Sequence, residues 1–284
     1  MIYNISQIPI ALNGSHEIQK LECFEPFEIS NVKEKFLAEF KPVESIEIPK
    51  DFFSRCTDYA VTKEDNEYCR YYYHSRIGDL IYAKSKWDWE NSKIIIEYIP
   101  DYKEFLSESG NALFHIGLER ILLRENRLIF HAACIDTTYG GVLFTGPSGA
   151  GKSTQADLWV KYTNAVLING DRPILEQTSE GWNAWGSPYA GSSKCYVNDK
   201  CGIKTIVKVV KDSVNEVIRL KGSRAFTTVF SEITVNDWSR EDVSKSTELV
   251  IDLINSVPVY ELHCTKTEDA VDVLEKVLKG EVSI

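Results

Sequence analysis

No uninterrupted apolar run in the chain approaches the ~18 residues needed to cross a bilayer as a helix, and the N-terminus has no basic stretch leading into an apolar signal segment. These absences leave no membrane span to expect and make a cytoplasmic protein the expectation. Nor is there any C-x-x-C among the cysteines at positions 23, 56, 69, 134, 195, 201 and 264. Their number is odd, so neither a disulfide framework nor a zinc knuckle is expected, and they read as reduced thiols in a reducing compartment. Basic residues are in the minority, 32 against 42 acidic, for a formal net charge of −10. No stripe of lysine and arginine interleaved with aromatics offsets that charge locally, which excludes nucleic acid as the expected partner. Internal repeats and low-complexity segments are also missing.

What the sequence does contain is a complete G-x-x-x-x-G-K-[ST] motif, Gly146-Pro147-Ser148-Gly149-Ala150-Gly151-Lys152-Ser153, followed by Thr154. The residues before it, Gly141 to Thr145, are apolar and β-favouring, and those after it, Gln155 to Val160, have helical composition, so the motif lies between strand and helix as phosphate binding requires. Its glycines let the backbone curve so that successive N–H groups face phosphate oxygens at the positive end of a helix. Lys152 supplies a cation to the β- and γ-phosphates of a nucleotide, and the Ser153 hydroxyl is placed to hold Mg²⁺. Gly146, Ser148, Gly149, Ala150, Gly151, Lys152, Ser153 and Thr154 are therefore the expected nucleotide-binding residues.

The expected fold class is α/β, in two domains. Residues 1–126 read as a β-rich α+β domain, from the aromatic run Tyr68–His74, Leu80-Ile81-Tyr82 after a Gly78-Asp79 turn, and the β-branched run Lys93–Ile99, with a helix between Asp101 and Asn126. Residues 127–284 alternate strands with helices: Leu128–Ile135, Val142–Thr145, Ala165–Ile168, Gly181–Trp185, Thr205–Val210 and Val257–Leu262 read as strands. Helices are expected after the loop, around Val243–Ile254 and over Asp269–Leu278, and Ser213–Asp237 is the least clearly patterned stretch.

A phosphate loop does not by itself choose a reaction, and an acid at the end of a neighbouring strand is the next requirement. Asp171 follows Val166-Leu167-Ile168-Asn169-Gly170, a strand ending in turn formers, which places its carboxylate at the carboxyl edge of the sheet. It can serve Mg²⁺, accept a proton from a hydroxyl, or simply be a turn aspartate paired with Arg172. His131, just before Ala132-Ala133-Cys134-Ile135, is by spacing alone either a structural histidine at a strand start or a site residue.

Taken together, His131-Ala132-Ala133, the loop from Gly146 to Thr154, Asn169-Gly170-Asp171-Arg172-Pro173, Gly186-Ser187-Pro188-Tyr189-Ala190-Gly191-Ser192-Ser193, Asn198 and Ser256-Val257-Pro258-Val259-Tyr260 resemble the HPr kinase-like family of bacterial P-loop proteins. The resemblance spans the chain from about residue 128 onward and extends more weakly over Ile2–Ile10 and Phe24-Glu25-Pro26-Phe27. It implies a kinase-type P-loop domain, ATP and Mg²⁺ with metal contacts from Ser153 and Asp171, and catalytic roles for Asp171, His131 and Lys152. In HPr kinase/phosphorylase an Asp-Asp-Arg triplet follows the loop, its first aspartate acting as proton acceptor. Here that place reads Gly170-Asp171-Arg172, so the base role either passes to Asp171 or is altered. The run tied to phosphorylase activity in that family is missing, which argues against HPr as the substrate.

The expected function is transfer of the γ-phosphoryl group of ATP to a hydroxyl, that of a Ser or Thr in a peptide or small protein, with a small-molecule acceptor left open. The alternative is an ATP-switched peptide-binding or regulatory module. A carboxykinase is disfavoured by the short chain and by the lack of a histidine–lysine pair for a second metal. HPr kinases are hexamers, and a homo-oligomer stays an open option.

Overall fold

The computed structural model describes residues 1–14, 21–64, 67–108 and 111–282. The chain is mixed α/β and divides into two compact units, Met1–Leu118 and Glu119–Ile284.

The first unit is built on one nine-stranded sheet. Its strands are β1 (Ile2–Ile5), β2 (Ile8–Asn13), β3 (Glu28–Ile29), β4 (Phe36–Pro42), β5 (Ser54–Arg55), β6 (Tyr59–Glu64), β7 (Glu67–His74), β8 (Gly78–Asp88) and β9 (Lys93–Tyr98), in the order β3-β1-β2-β4-β9-β8-β7-β6-β5. β4 and β9 alternate buried and half-buried residues along most of their length, the mark of strands with one face against a core. The helix expected between Asp101 and Asn126 is instead broken into α1 (Glu104–Ser107), α2 (Asn111–Ile116) and α3 (Leu118–Arg124), positions 109 and 110 lying outside the described residues. Gly117 makes the second break: its φ is +64°, and a Cβ there would lie 2.5 Å from the Trp87 ring, whose Nε1 donates to the Ile116 carbonyl at 2.8 Å.

The division between units falls at Leu118/Glu119, upstream of the 126/127 boundary read from sequence. Buried charge ties α3 to the second unit. Asn236 Nδ2 donates to Glu119 Oε1 at 3.3 Å and to Asp242 Oδ2 at 2.9 Å, and Arg120 Nε lies 3.5 Å from Asp242 Oδ2.

The second unit holds another large mixed sheet: β10 (Arg127–Ile129), β11 (Ala132–Thr137), β12 (Gly140–Thr145), β13 (Val166–Asn169), β14 (Ile174–Thr178), β15 (Gly181–Trp185), β16 (Lys200–Lys211), β17 (Glu216–Leu220) and β18 (Val259–Cys264). β12, β16 and β18 are parallel neighbours, with β11 antiparallel to β12 and β13 antiparallel to β11. Helices cover both faces: α4 (Lys152–Tyr162) and α7 (Glu268–Lys279) pack through Ala156, Trp159, Val271 and Leu274, while α5 (Gly222–Phe230) and α6 (Arg240–Ser256) pack through Ala225, Val229, Leu249 and Leu253. Burial on both sides explains why Ala132–Ile135 and Val142–Thr145 are apolar or small without alternation. β14, β17 and α5 are elements that sequence patterning did not single out. Among the described residues no helix is long and apolar enough to cross a membrane.

Candidate active site

β12 delivers the chain into the glycine loop and α4 leads it out. Gly149 has φ +78° and Gly151, the residue capping α4, has φ +108°, values that a side-chain-bearing residue adopts only with strain. A Cβ on exposed Gly149 would meet no atom within 4 Å, so the loop is open there. Lys152 is buried, its Nζ donating to the Gly146 carbonyl at 2.8 Å and the Pro147 carbonyl at 3.4 Å. Burial holds its pKa below the ordinary lysine value, opposed by the negative charges of Glu232 and Asp171. Ser153 is exposed in the first turn of α4. All eight loop residues expected from sequence are thus gathered at one strand–helix junction.

The strand read as Leu128–Ile135 is interrupted at Phe130 and His131, and the interruption makes the second half of the site. Phe130 N donates to Pro173 O at 3.1 Å, His131 N to Glu232 O at 2.8 Å and Ala132 N to Asp171 O at 2.9 Å, so three consecutive amides go to two different segments. The His131 ring consequently sits between two carboxylates, with Nδ1 3.0 Å from Glu232 Oε2 and Nε2 3.6 Å from Asp171 Oδ1. Arg172 Nε is 3.6 Å from Asp171 Oδ2, so the turn pairing allowed by the sequence exists alongside the histidine contact. Thr145, the last residue before the loop, donates its hydroxyl to the His131 carbonyl at 2.9 Å and couples the two halves.

Asn169 organises the turn that carries Asp171. Its fully buried side-chain oxygen accepts from the Asp171 and Arg172 amides at 3.0 and 2.7 Å, an Asx turn, while its Nδ2 donates to Tyr189 O at 2.9 Å. Ser187 Oγ donates to Arg172 O at 2.6 Å. The Gly186–Ser193 segment is thereby seated on the Asp171 turn. Its contact is closest at Gly170, where a Cβ would lie 2.2 Å from Ser193 Oγ and 2.5 Å from Ser193 Cβ. The position at which the resemblance leads one to look for a first aspartate is sterically closed.

A pocket of about 220 Å³ opens on the other side of the loop, lined by Gly149, Gly151, Lys152, Ser153, Lys211 and Lys266 among others. Three lysines around an open glycine curve suit a polyphosphate. Among the described residues no group of three His, Cys, Asp or Glu side chains is arranged to hold a metal. The Ser153 hydroxyl and Asp171 carboxylate are hard oxygen donors, the type Mg²⁺ takes when substrate phosphates complete its shell.

Glu232, Asn169, Lys211 and Lys266 were not anticipated. Glu232 follows α5 in the least patterned stretch, and nothing in its neighbours marks it. Asn169 carried a signal, as an Asx residue directly before Gly-Asp-Arg-Pro. The chain matches no family model and no curated protein.

Proposed function

We propose that the protein is an HPr kinase-like P-loop phosphotransferase of the cytoplasm that moves the γ-phosphoryl group of ATP to a hydroxyl on a peptide, small protein or small molecule. The observation that carries this reading is the approach of His131 to both Asp171 and Glu232 at the base of the phosphate loop, with Asp171 the carboxylate beside it and Gly170 packed against Ser193. Asp171 is then the carboxylate available to receive the acceptor's proton as the hydroxyl oxygen bonds to the γ-phosphorus and the bond to the departing ADP breaks. His131, fixed by Glu232 on its far nitrogen, orients Asp171. Lys152 exchanges two carbonyl oxygens for phosphate oxygens, which are better acceptors for an ammonium. Mg²⁺, held by Ser153 and Asp171, would supply charge neutralisation along the phosphates.

Catalysis in such a site is positioning and charge stabilisation. The test is transfer of label from γ-labelled ATP·Mg²⁺ into a size-fractionated lysate of the source cell. The wild type labels an acceptor, and Asp171→Asn and Lys152→Ala each reduce that labelling by at least about 10²-fold. Full labelling by Lys152→Ala overturns the site. One observation, the glycine at 170, favours a second reading as an ATP-switched binding module. Tight ATP binding with no labelled acceptor in any fraction would select it.

A further inference from the structure

Lys211 and Lys266 line the same pocket as Gly149, Gly151 and Ser153, yet no local motif ties them to the loop. Lys211 ends β16 opposite Cys264 of β18, and Lys266 lies two residues beyond Cys264. The turn that presents Lys266 is pinned from two directions. Buried Gln155, in the helix that leaves the phosphate loop, donates through Nε2 to Thr265 O at 3.1 Å and to Cys264 Sγ at 3.2 Å. Asn215 Oδ1 accepts from the Thr265 amide at 2.9 Å. Both lysines are exposed, and among the described residues neither has an ion-pair partner, in a chain with 42 acidic residues. A chain of net charge −10 needs local cations to hold a polyanion, and these two face the one loop built for it.

Strand order gives these lysines a direction. The sequence β18–β16–β12–β11–β13 puts Lys211 and Lys266 on one side of the loop strand β12, and His131 and Asp171 on the other. We propose that Lys211 and Lys266 bind the non-reacting phosphates of a nucleoside di- or triphosphate, so that the phosphate chain crosses the loop with its reacting end toward Asp171. This rests on the phosphate-loop reading above and extends it by assigning two binding residues and an orientation. The lysines then contact the part that ATP and ADP share, and hold ADP equally well after transfer.

The experiment is calorimetric titration of the full chain with ADP and with the non-hydrolysable analogue AMPPNP, both with Mg²⁺, for wild type, Lys211→Gln, Lys266→Gln and the double variant. Each single substitution should weaken both nucleotides by about three- to tenfold, with near-equal factors for the two. The double variant should also show a shallower dependence of affinity on salt than the wild type. Equal binding by all four proteins overturns the inference and leaves the phosphate loop intact. Loss confined to AMPPNP overturns the orientation, since it puts the lysines at the reacting end. A wild type that binds neither nucleotide overturns the phosphate-loop reading and this inference with it.

Discussion

Replacing Gly170 by alanine tests how tightly the Gly186–Ser193 segment is seated on the site. The glycine's φ lies outside the left-handed region, so alanine carries no backbone penalty there and the whole cost is steric. Its new methyl would fall 2.2 Å from Ser193 Oγ and 2.5 Å from Ser193 Cβ, and the next atom, Ala190 O, is at an ordinary 3.5 Å. One residue therefore carries the clash. Overpacking of this kind costs about 1–3 kcal/mol. For a domain the size of the second unit, where 1 kcal/mol moves Tm by about 2–4 °C, the melting temperature should fall by about 2–12 °C. Ser193→Gly removes the obstructing atoms but also loses the Oγ bond to Ala190 O at 2.6 Å, so neither single variant isolates the contact. The double-mutant cycle does: urea unfolding of the wild type, both singles and the double should show a coupling of about 1–3 kcal/mol in favour of the double. Additivity within about 0.5 kcal/mol would refute the packing argument. On the same reasoning Gly170→Asp restores a carboxylate only by lifting the segment off Asp171, and it should not raise phosphotransfer.

Glu232→Gln keeps the shape beside His131 but removes the charge that fixes its ring, and we expect turnover to fall by about 10²-fold with AMPPNP affinity unchanged, measured by label transfer and calorimetry. Equal loss of both would make Glu232 a folding residue. Glu176 accepts from Arg127 and, at 2.7 Å, from Trp185 Nε1, with the Arg127 and Glu176 side chains only 11% and 8% exposed. Glu176→Ala removes the carboxylate facing that guanidinium, which keeps its bond to the Glu125 carbonyl at 2.9 Å, and should cost about 3–5 kcal/mol in urea unfolding, whereas Arg127→Met with Glu176→Met should be close to neutral. His263 is held above its ordinary value of 6.5 by Asp212 at 2.9 Å, with Glu261 at 3.3 Å adding to the effect and slight burial opposing it. A raised folded-state pKa gives stability that is fully present below 6.5 and is lost as pH climbs through the higher folded value. The melting-temperature gap between wild type and His263→Gln should accordingly be widest just below 6.5 and close as pH climbs through the higher folded value; a constant gap would refute it.

The glycine loop between β12 and α4 was legible because its demands are local. A tight turn from strand to helix needs glycine where φ is positive, and Gly146, Gly149 and Gly151 meet that need within six residues of one another. The strand before and the helix after are contiguous with it, so composition alone placed Lys152 at the start of α4. Asp171 was legible as the acid after a short strand, although β13 is buried only at Ile168 and Asn169 and exposes Val166. The break in the 101–126 helix was not, because Gly117 is required by Trp87, thirty residues earlier in the chain, rather than by any flaw in the helical spacing.

What the linear chain determined, then, is which groups form the glycine loop and how the backbone bends to present them. Which groups stand around them was decided by tertiary structure alone. His131 and Glu232 are 101 residues apart and meet only because strand pairing breaks between Ile129 and Ala132 and hands the His131 amide to Glu232. Lys211 and Lys266 come to the loop because β16 lies parallel beside β12 and β18 parallel beside β16, and the order of strands in a sheet is a property of the packed core, with no trace in the spacing of any one segment.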